Sequence, residues 1–120
     1  MTTNFPTKKY SIIYADPPWS YIDKEIPGGA FTRYDTQSND WVRDLPVREI
    51  ADDNCVLFIW VTAPKLNENI WDIIKSWGFE YKTVAFTWVK TNKVSKSFFW
   101  GLGRWTRANA EFCLIATKGN

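Results

Sequence analysis

The chain has 120 residues, 45% of them hydrophobic, with a formal net charge of +2, two cysteines and no histidine. That length predicts one domain, able to hold a core but small for a complete α/β enzyme. Lack of histidine excludes Ser-His and Cys-His nucleophilic mechanisms and histidine zinc sites, two separated cysteines are too few for a zinc cluster, and no apolar run approaches the ~18 residues of a membrane span.

Met1 to Lys9 is polar and lacks the apolar stretch of a secretion signal, which points to the cytoplasm. Tyr10 to Ala15 reads as the first strand: Ile12 to Ala15 is an apolar run too short for a helix, and it is expected to be buried. Asp16 sits where that strand ends. Pro17 and Pro18 cannot continue a ladder and fix φ near −65°, so the chain leaves the sheet stiffly, with the Asp16 carboxylate and nearby carbonyls held at its edge. Trp19 adds a rigid aromatic plane. A carboxylate, a preset carbonyl and an aromatic face suit a planar ring with an exocyclic amino group, whose two hydrogens the oxygens accept while the indole stacks on the ring. The same residues also make an ordinary strand-ending turn with a tryptophan capping the core.

Residues 16–37 are longer than an ordinary connection and read as a lid, with Gly28-Gly29 as a hinge or simply a turn. Ser38 or Asn39 caps a short helix through Trp41, Val42 and Leu45, and Pro46 breaks it before a second helical turn at Val47 to Ala51. Asp52-Asp53-Asn54 reads as a turn. Cys55 to Val61, CVLFIWV, is nearly continuous apolar sequence, as expected of a central strand in a parallel sheet covered by helices. Thr62 caps a helix with Pro64 in its first turn, a stripe of Leu66, Ile70, Ile73, Ile74 and Trp77, and Gly78 at its end. Tyr81 to Val89 is the third strand, Thr91 to Ser97 a polar loop, and Glu111 to Thr117 the fourth strand. Both cysteines fall in apolar strands and are expected to be buried free thiols. In such an α/β fold ligands gather beyond the carboxyl ends of the strands, which places Asp16, Thr62 and Lys90 together.

Charge is unevenly spread. Residues 81–110 hold six basic side chains (Lys82, Lys90, Lys93, Lys96, Arg104, Arg107) and no acidic one, whereas residues 1–80 hold eight basic and twelve acidic. Interleaved with Phe98, Phe99, Trp100 and Trp105, this positive field suits a polyanion with exposed bases, or else a solvated lysine loop beside core aromatics.

The Asp16-Pro17-Pro18-Trp19 tetrapeptide resembles the catalytic motif of the adenine N(6)-methyltransferases of the Asp-Pro-Pro-Trp type. Tyr34 and Thr36 look like that family's Tyr-x-Thr, Leu57 to Thr62 (LFIWVT) like its second strand, Trp88 to Asn92 (WVKTN) like its third, and Trp100 to Glu111 (WGLGRWTRANAE) like a stretch of its phage and bacterial members. Cys113 to Gly119 (CLIATKG) is similar to the strand closing that block. The resemblance implies a Rossmann-like, S-adenosylmethionine-dependent methyltransferase fold in permuted order, with the catalytic motif first and only part of the sheet present. It implies S-adenosylmethionine as cofactor, contacted by Asp16 and Pro17, no metal, and nucleic acid as partner, DNA rather than RNA. Asp16, Pro17, Pro18 and Trp19 would be catalytic, and Tyr34, Thr36, Lys90, Trp105, Arg107, Asn109 and Glu111 would bind substrate. Glu111 would accept from a ribose or base, or pair with Arg107. The family's later segments, resembling Ser-x-Lys-Pro-x-Glu and Glu-Leu-Phe-x-Arg, are absent, so the cofactor site is expected to be incomplete. A non-catalytic nucleic-acid-binding or partner fragment is the alternative.

Overall fold

A computed structural model describes residues 5–19, 38–91 and 109–120. The expectations for the Gly28-Gly29 hinge, Tyr34, Thr36, Trp105 and Arg107 lie outside these residues, as do those for Lys93, Lys96, Arg104 and the aromatics 98–100. The elements are β1 (Tyr10–Ala15), α1 (Asn39–Arg43), α2 (Val47–Ile50), β2 (Ala51–Thr62), a 3-10 turn (Ala63–Lys65), α3 (Glu68–Ser76), β3 (Glu80–Val89) and β4 (Ala110–Lys118).

The four strands form one sheet in the order β1-β2-β4-β3. β1 and β2 pair in parallel, while β4 is antiparallel to both β2 and β3. β1, β2 and β3 therefore run the same way, their crossovers provided by α1 with α2 and by α3, and β4 runs against them between two of them. The expected all-parallel sheet is thus corrected to a mixed one. Antiparallel insertion closes the gap between β2 and β3 with ladder bonds on both sides of β4.

Inward residues of β2 and β4 (Leu57, Ile59, Val61, Leu114, Ala116) join Val42 of α1, Val47 of α2 and Ile70, Ile73, Ile74 and Trp77 around α3 in one core. The alternating burial of β2 shows why: every second side chain of a strand points to the helices. β1 is an edge strand, and its Ile12 and Tyr14, 63% and 69% exposed, point to the opposite face. This corrects the expectation that the run is buried.

Local chemistry sets the helix ends. Ser38 caps α1 by accepting the Trp41 amide at 3.1 Å. The helix expected from Thr62 begins later, because the chain first makes the 3-10 turn through Pro64 and Asn67 becomes the cap, accepting from the Asn69 amide at 2.9 Å. Leu66 accordingly leaves the stripe and is exposed. At the other end Gly78, at φ 91°, and Phe79 donate back to the Lys75 and Ile74 carbonyls, a Schellman closure. The Trp77 indole N–H donates to the Val42 carbonyl at 3.1 Å and so ties α3 to α1. Asp52 to Asn54 are not a free turn. They lie within β2 where the β1 register shifts between the pairs Tyr10–Ala51 and Ile12–Val56. Cys55 and Cys113 are buried free thiols, as expected. No described helix is long and apolar enough to cross a membrane.

Candidate active site

Three parallel strands and one opposed strand bring four chain segments to the same edge of the sheet: the carboxyl ends of β1, β2 and β3 and the amino end of β4. Asp16, Thr62, Lys90 and Glu111 stand there, the first three as expected. Glu111 lies opposite Thr62 on one side and Trp88 on the other.

Ala15 pairs with Ile59, so Asp16 follows in line with Trp60 of β2 and its β4 partner Cys113. Although the residue is exposed overall, desolvation by the surrounding protein raises its carboxyl above the ordinary value of 3.8, and the Glu111 charge raises it further. The same neighbourhood acts on Cys113, whose thiol is pushed up first by burial and then by Asp16.

Pro17 is buried, and its carbonyl accepts the Trp19 amide at 2.9 Å. This i to i+2 bond closes a γ-turn about Pro18, aims the carbonyl and leaves it one further lone pair. Trp19 is not an open stacking plane. It is 6% exposed, packs in the core and donates its indole N–H to the Trp60 carbonyl at 3.0 Å. The turn-and-cap alternative is what the structure displays for this side chain, and its effect is to pin the Asp16 loop to β2.

Lys90 and Glu111 form an ion pair at 2.7 Å, both side chains partly buried. Arg107, one of the two partners expected for Glu111, lies outside the described residues. The Lys90 amide donates to the Asn109 carbonyl at 2.9 Å, joining the ends of β3 and β4, and its ammonium lies 5.0 Å from the Trp88 ring centre. Lys82 is likewise paired, with Glu80 at 3.6 Å, so both of the described basic groups in the positive stretch have an acidic partner.

Sequence reasoning missed the aromatic row beside Asp16. The Trp60 indole N–H donates to the Tyr14 hydroxyl at 2.6 Å, and the Trp60 and Trp88 rings meet edge to face at 6.4 Å. Alternation along each strand was a usable signal for which side chains share a face, but the strand order that brings these three together was not. Among the described residues no group of three or more ligating side chains gathers for a metal.

The MT-A70 family matches residues 10–120, nearly the whole chain. The chain belongs to the MT-A70 family. It is 38% identical to the type II methyltransferase M.MunI of Mycoplasma sp over 95% of its own length and 53% of that protein's. It is 34% identical to a putative N(6)-adenosine-methyltransferase MT-A70-like protein of Medicago truncatula, covering 93% of this chain and 17% of that one. The N6-adenosine-methyltransferase non-catalytic subunit MTB of Arabidopsis thaliana is 30% identical over 92% of this chain and 14% of its own. The chain thus spans about half the length of the first of these relatives and far less of the others.

Proposed function

We propose that this MT-A70 chain carries the amino-group acceptor site of an adenine N(6)-methyltransferase acting on nucleic acid, DNA rather than RNA. The observation that carries this reading is the Asp16 loop: a carboxylate, followed by a carbonyl fixed by a γ-turn, stands at the edge where the strand ends meet. The 38% identity to a type II methyltransferase of Mycoplasma sp supports the methyltransferase reading.

The 6-amino nitrogen of adenine is a poor nucleophile because its lone pair is delocalised into the ring. Asp16 and the free lone pair of the Pro17 carbonyl accept its two hydrogens, draw the nitrogen toward tetrahedral geometry and localise the lone pair. This is orientation and preorganised electrostatics, not covalent catalysis. Asp16 takes the proton as positive charge develops, a task its raised pKa favours. Trp19 acts by anchoring the loop. A target base in a duplex must first be flipped out. Asn109, Tyr34, Thr36, Trp105 and Arg107 remain assigned to substrate contact by resemblance.

The donor set fits part of S-adenosylmethionine: Asp16, Pro17 and Glu111 offer acceptors for its ammonium and ribose hydroxyls, and Lys90 a donor for its carboxylate. When bound, that cofactor supplies an electrophilic methyl group. The Rossmann-like, permuted reading of the fold accords with Asp16 at the carboxyl end of the first strand.

Calorimetric titration of the chain with S-adenosylmethionine, beside Asp16→Ala, tests the reading, followed by methyl transfer to adenine-containing oligonucleotides. Saturable binding weakened by the substitution is expected. No binding by the folded chain favours the second reading, a non-catalytic nucleic-acid-binding or partner chain, for which the likeness to a non-catalytic subunit speaks.

A further inference from the structure

We propose that the open face of the sheet is a stacking platform for the unpaired bases beside the target adenine, so that the chain takes its nucleic acid as a single strand. The inference rests on the reading of Asp16 as the amino-group acceptor, and it names the form of the substrate and the surface that holds it.

The register lays out this face. Side chains alternate along a strand and directly opposed pairs share a side, so Tyr14 on β1, Phe58 and Trp60 on β2, and Phe86 and Trp88 on β3 stand together away from the helices. The rings of β2 and β3 meet across β4, Phe58 with Phe86 and Trp60 with Trp88, each pair 6.4 Å between centres. Tyr14 joins them through its hydroxyl, which accepts the Trp60 indole N–H at 2.6 Å. Five aromatic side chains thus make one surface, on which Tyr14, Phe86 and Trp88 are exposed. It begins beside Asp16, which follows β1 in line with Trp60 and, through Cys113, with Phe86.

Chemistry selects the occupant. Aromatic ring faces are what unpaired bases stack on, with little regard to sequence. The two ring pairs lie two residues apart along their strands, about 6.5 Å. Stacked bases in a duplex rise only about 3.4 Å, and their faces are covered by one another. Bases spread to the wider spacing, with faces free, are those of a single strand. Charge agrees with this. Residues 92–108, which join β3 to β4, contain four basic side chains and no acidic one, and the bond from the Lys90 amide to the Asn109 carbonyl holds the two ends of that connection together at the Asp16 edge. Glu80 and Glu111, the glutamates of β3 and β4, are each paired with a lysine. Because the platform is continuous with the candidate active site, a strand whose target adenine reaches Asp16 and Pro17 lays its neighbouring bases on these rings.

The test is fluorescence anisotropy of a short labelled adenine-containing oligonucleotide, single-stranded and as a duplex, titrated with the 120-residue chain, Trp88→Ala, Phe86→Ala and, as a control on α3, Trp71→Ala. The single strand should bind at least about tenfold more tightly than the duplex. Trp88→Ala and Phe86→Ala should each weaken it roughly 5- to 100-fold, the worth of one stacked base, and Trp71→Ala should leave it unchanged. Equal binding of strand and duplex overturns the inference. So does an affinity that survives Phe86→Ala in a folded chain, even where Trp88→Ala does not fold. A chain that self-associates and does not bind the strand gives the face to a second copy and overturns it as well. Strand binding with the expected pattern in a chain that transfers no methyl group sustains the platform and sinks the methyltransferase reading alone. Methyl transfer to a single strand with unaltered kcat/KM in Trp88→Ala and Phe86→Ala does the reverse.

Discussion

Asp16 carries opposite demands for function and for stability. The native state holds its proton more tightly than the unfolded chain does, so its charge weakens the fold as pH rises through the raised native pKa and has no effect well below 3.8. Asp16→Asn should therefore raise Tm at neutral pH, on the order of 1–3 °C, and leave it unchanged in strong acid, as followed by circular dichroism. The same substitution should lower methyl transfer roughly 10²–10³-fold, and activity of the parent chain should fall with acidification at a pH above that of an ordinary aspartate. Trp19 makes the opposite prediction. Since it is buried and hydrogen-bonded to the Trp60 carbonyl, Trp19→Ala should cost about 3–5 kcal/mol in urea unfolding, and Trp19→Phe about 1–2 kcal/mol for the orphaned carbonyl. A ring-stacking residue with no packing role would show neither loss. Sequence alone left this open, because an indole after two prolines has the same pattern whether it faces a ligand or the core.

At the scale of elements, α3 depends on its two ends. Asn67→Ala removes the cap on the Asn69 amide and should cost about 1 kcal/mol. Gly78→Ala should cost about 1–2 kcal/mol, because φ 91° disfavours a side chain. A methyl there also meets the Arg48 guanidinium group at 3.3 Å, and Arg48 from α2 donates to the Ser76 carbonyl at 2.7 Å. Chemical denaturation with an unchanged m-value checks both. This helix was legible from its stripe and its glycine, except that the start moved from Thr62 to Asn67. Pro64 suits a first turn of either helix type, and only the packing of Ile70, Ile73 and Ile74 selects the later start. The Asp52-Asp53-Asn54 segment misled for a related reason: turn-forming residues were drawn into β2 by partners far away in sequence, with Asn54 accepting the Asn120 amide at 2.8 Å.

Across the whole molecule the two faces of the sheet differ. One is sealed by α1, α2 and α3, while the other carries Ile12, Tyr14, Phe86 and Trp88, the last two 60% and 54% exposed. A patch of this kind promotes self-association. Light scattering should show concentration-dependent growth of the chain, reduced by Ile12→Lys with Phe86→Lys at little change in Tm, since neither side chain enters the core. Apolar and aromatic content predicted a core here but not which side of each strand would meet it.

Sequence by itself determined which segments become strands and helices, because apolar period, proline, capping residues and glycine act within a few positions of one another. It also placed Asp16, Thr62 and Lys90 at strand ends and gave the family likeness that the MT-A70 match bears out. Only the tertiary structure decided that β4 runs against its neighbours between β2 and β3, that β1 is a half-exposed edge, that Trp19 is buried and that Glu111 pairs with Lys90. Each of these depends on which distant strand supplies backbone hydrogen bonds and on which face the helices cover. Pairing energy of that kind is shared between segments and is not written in either one alone.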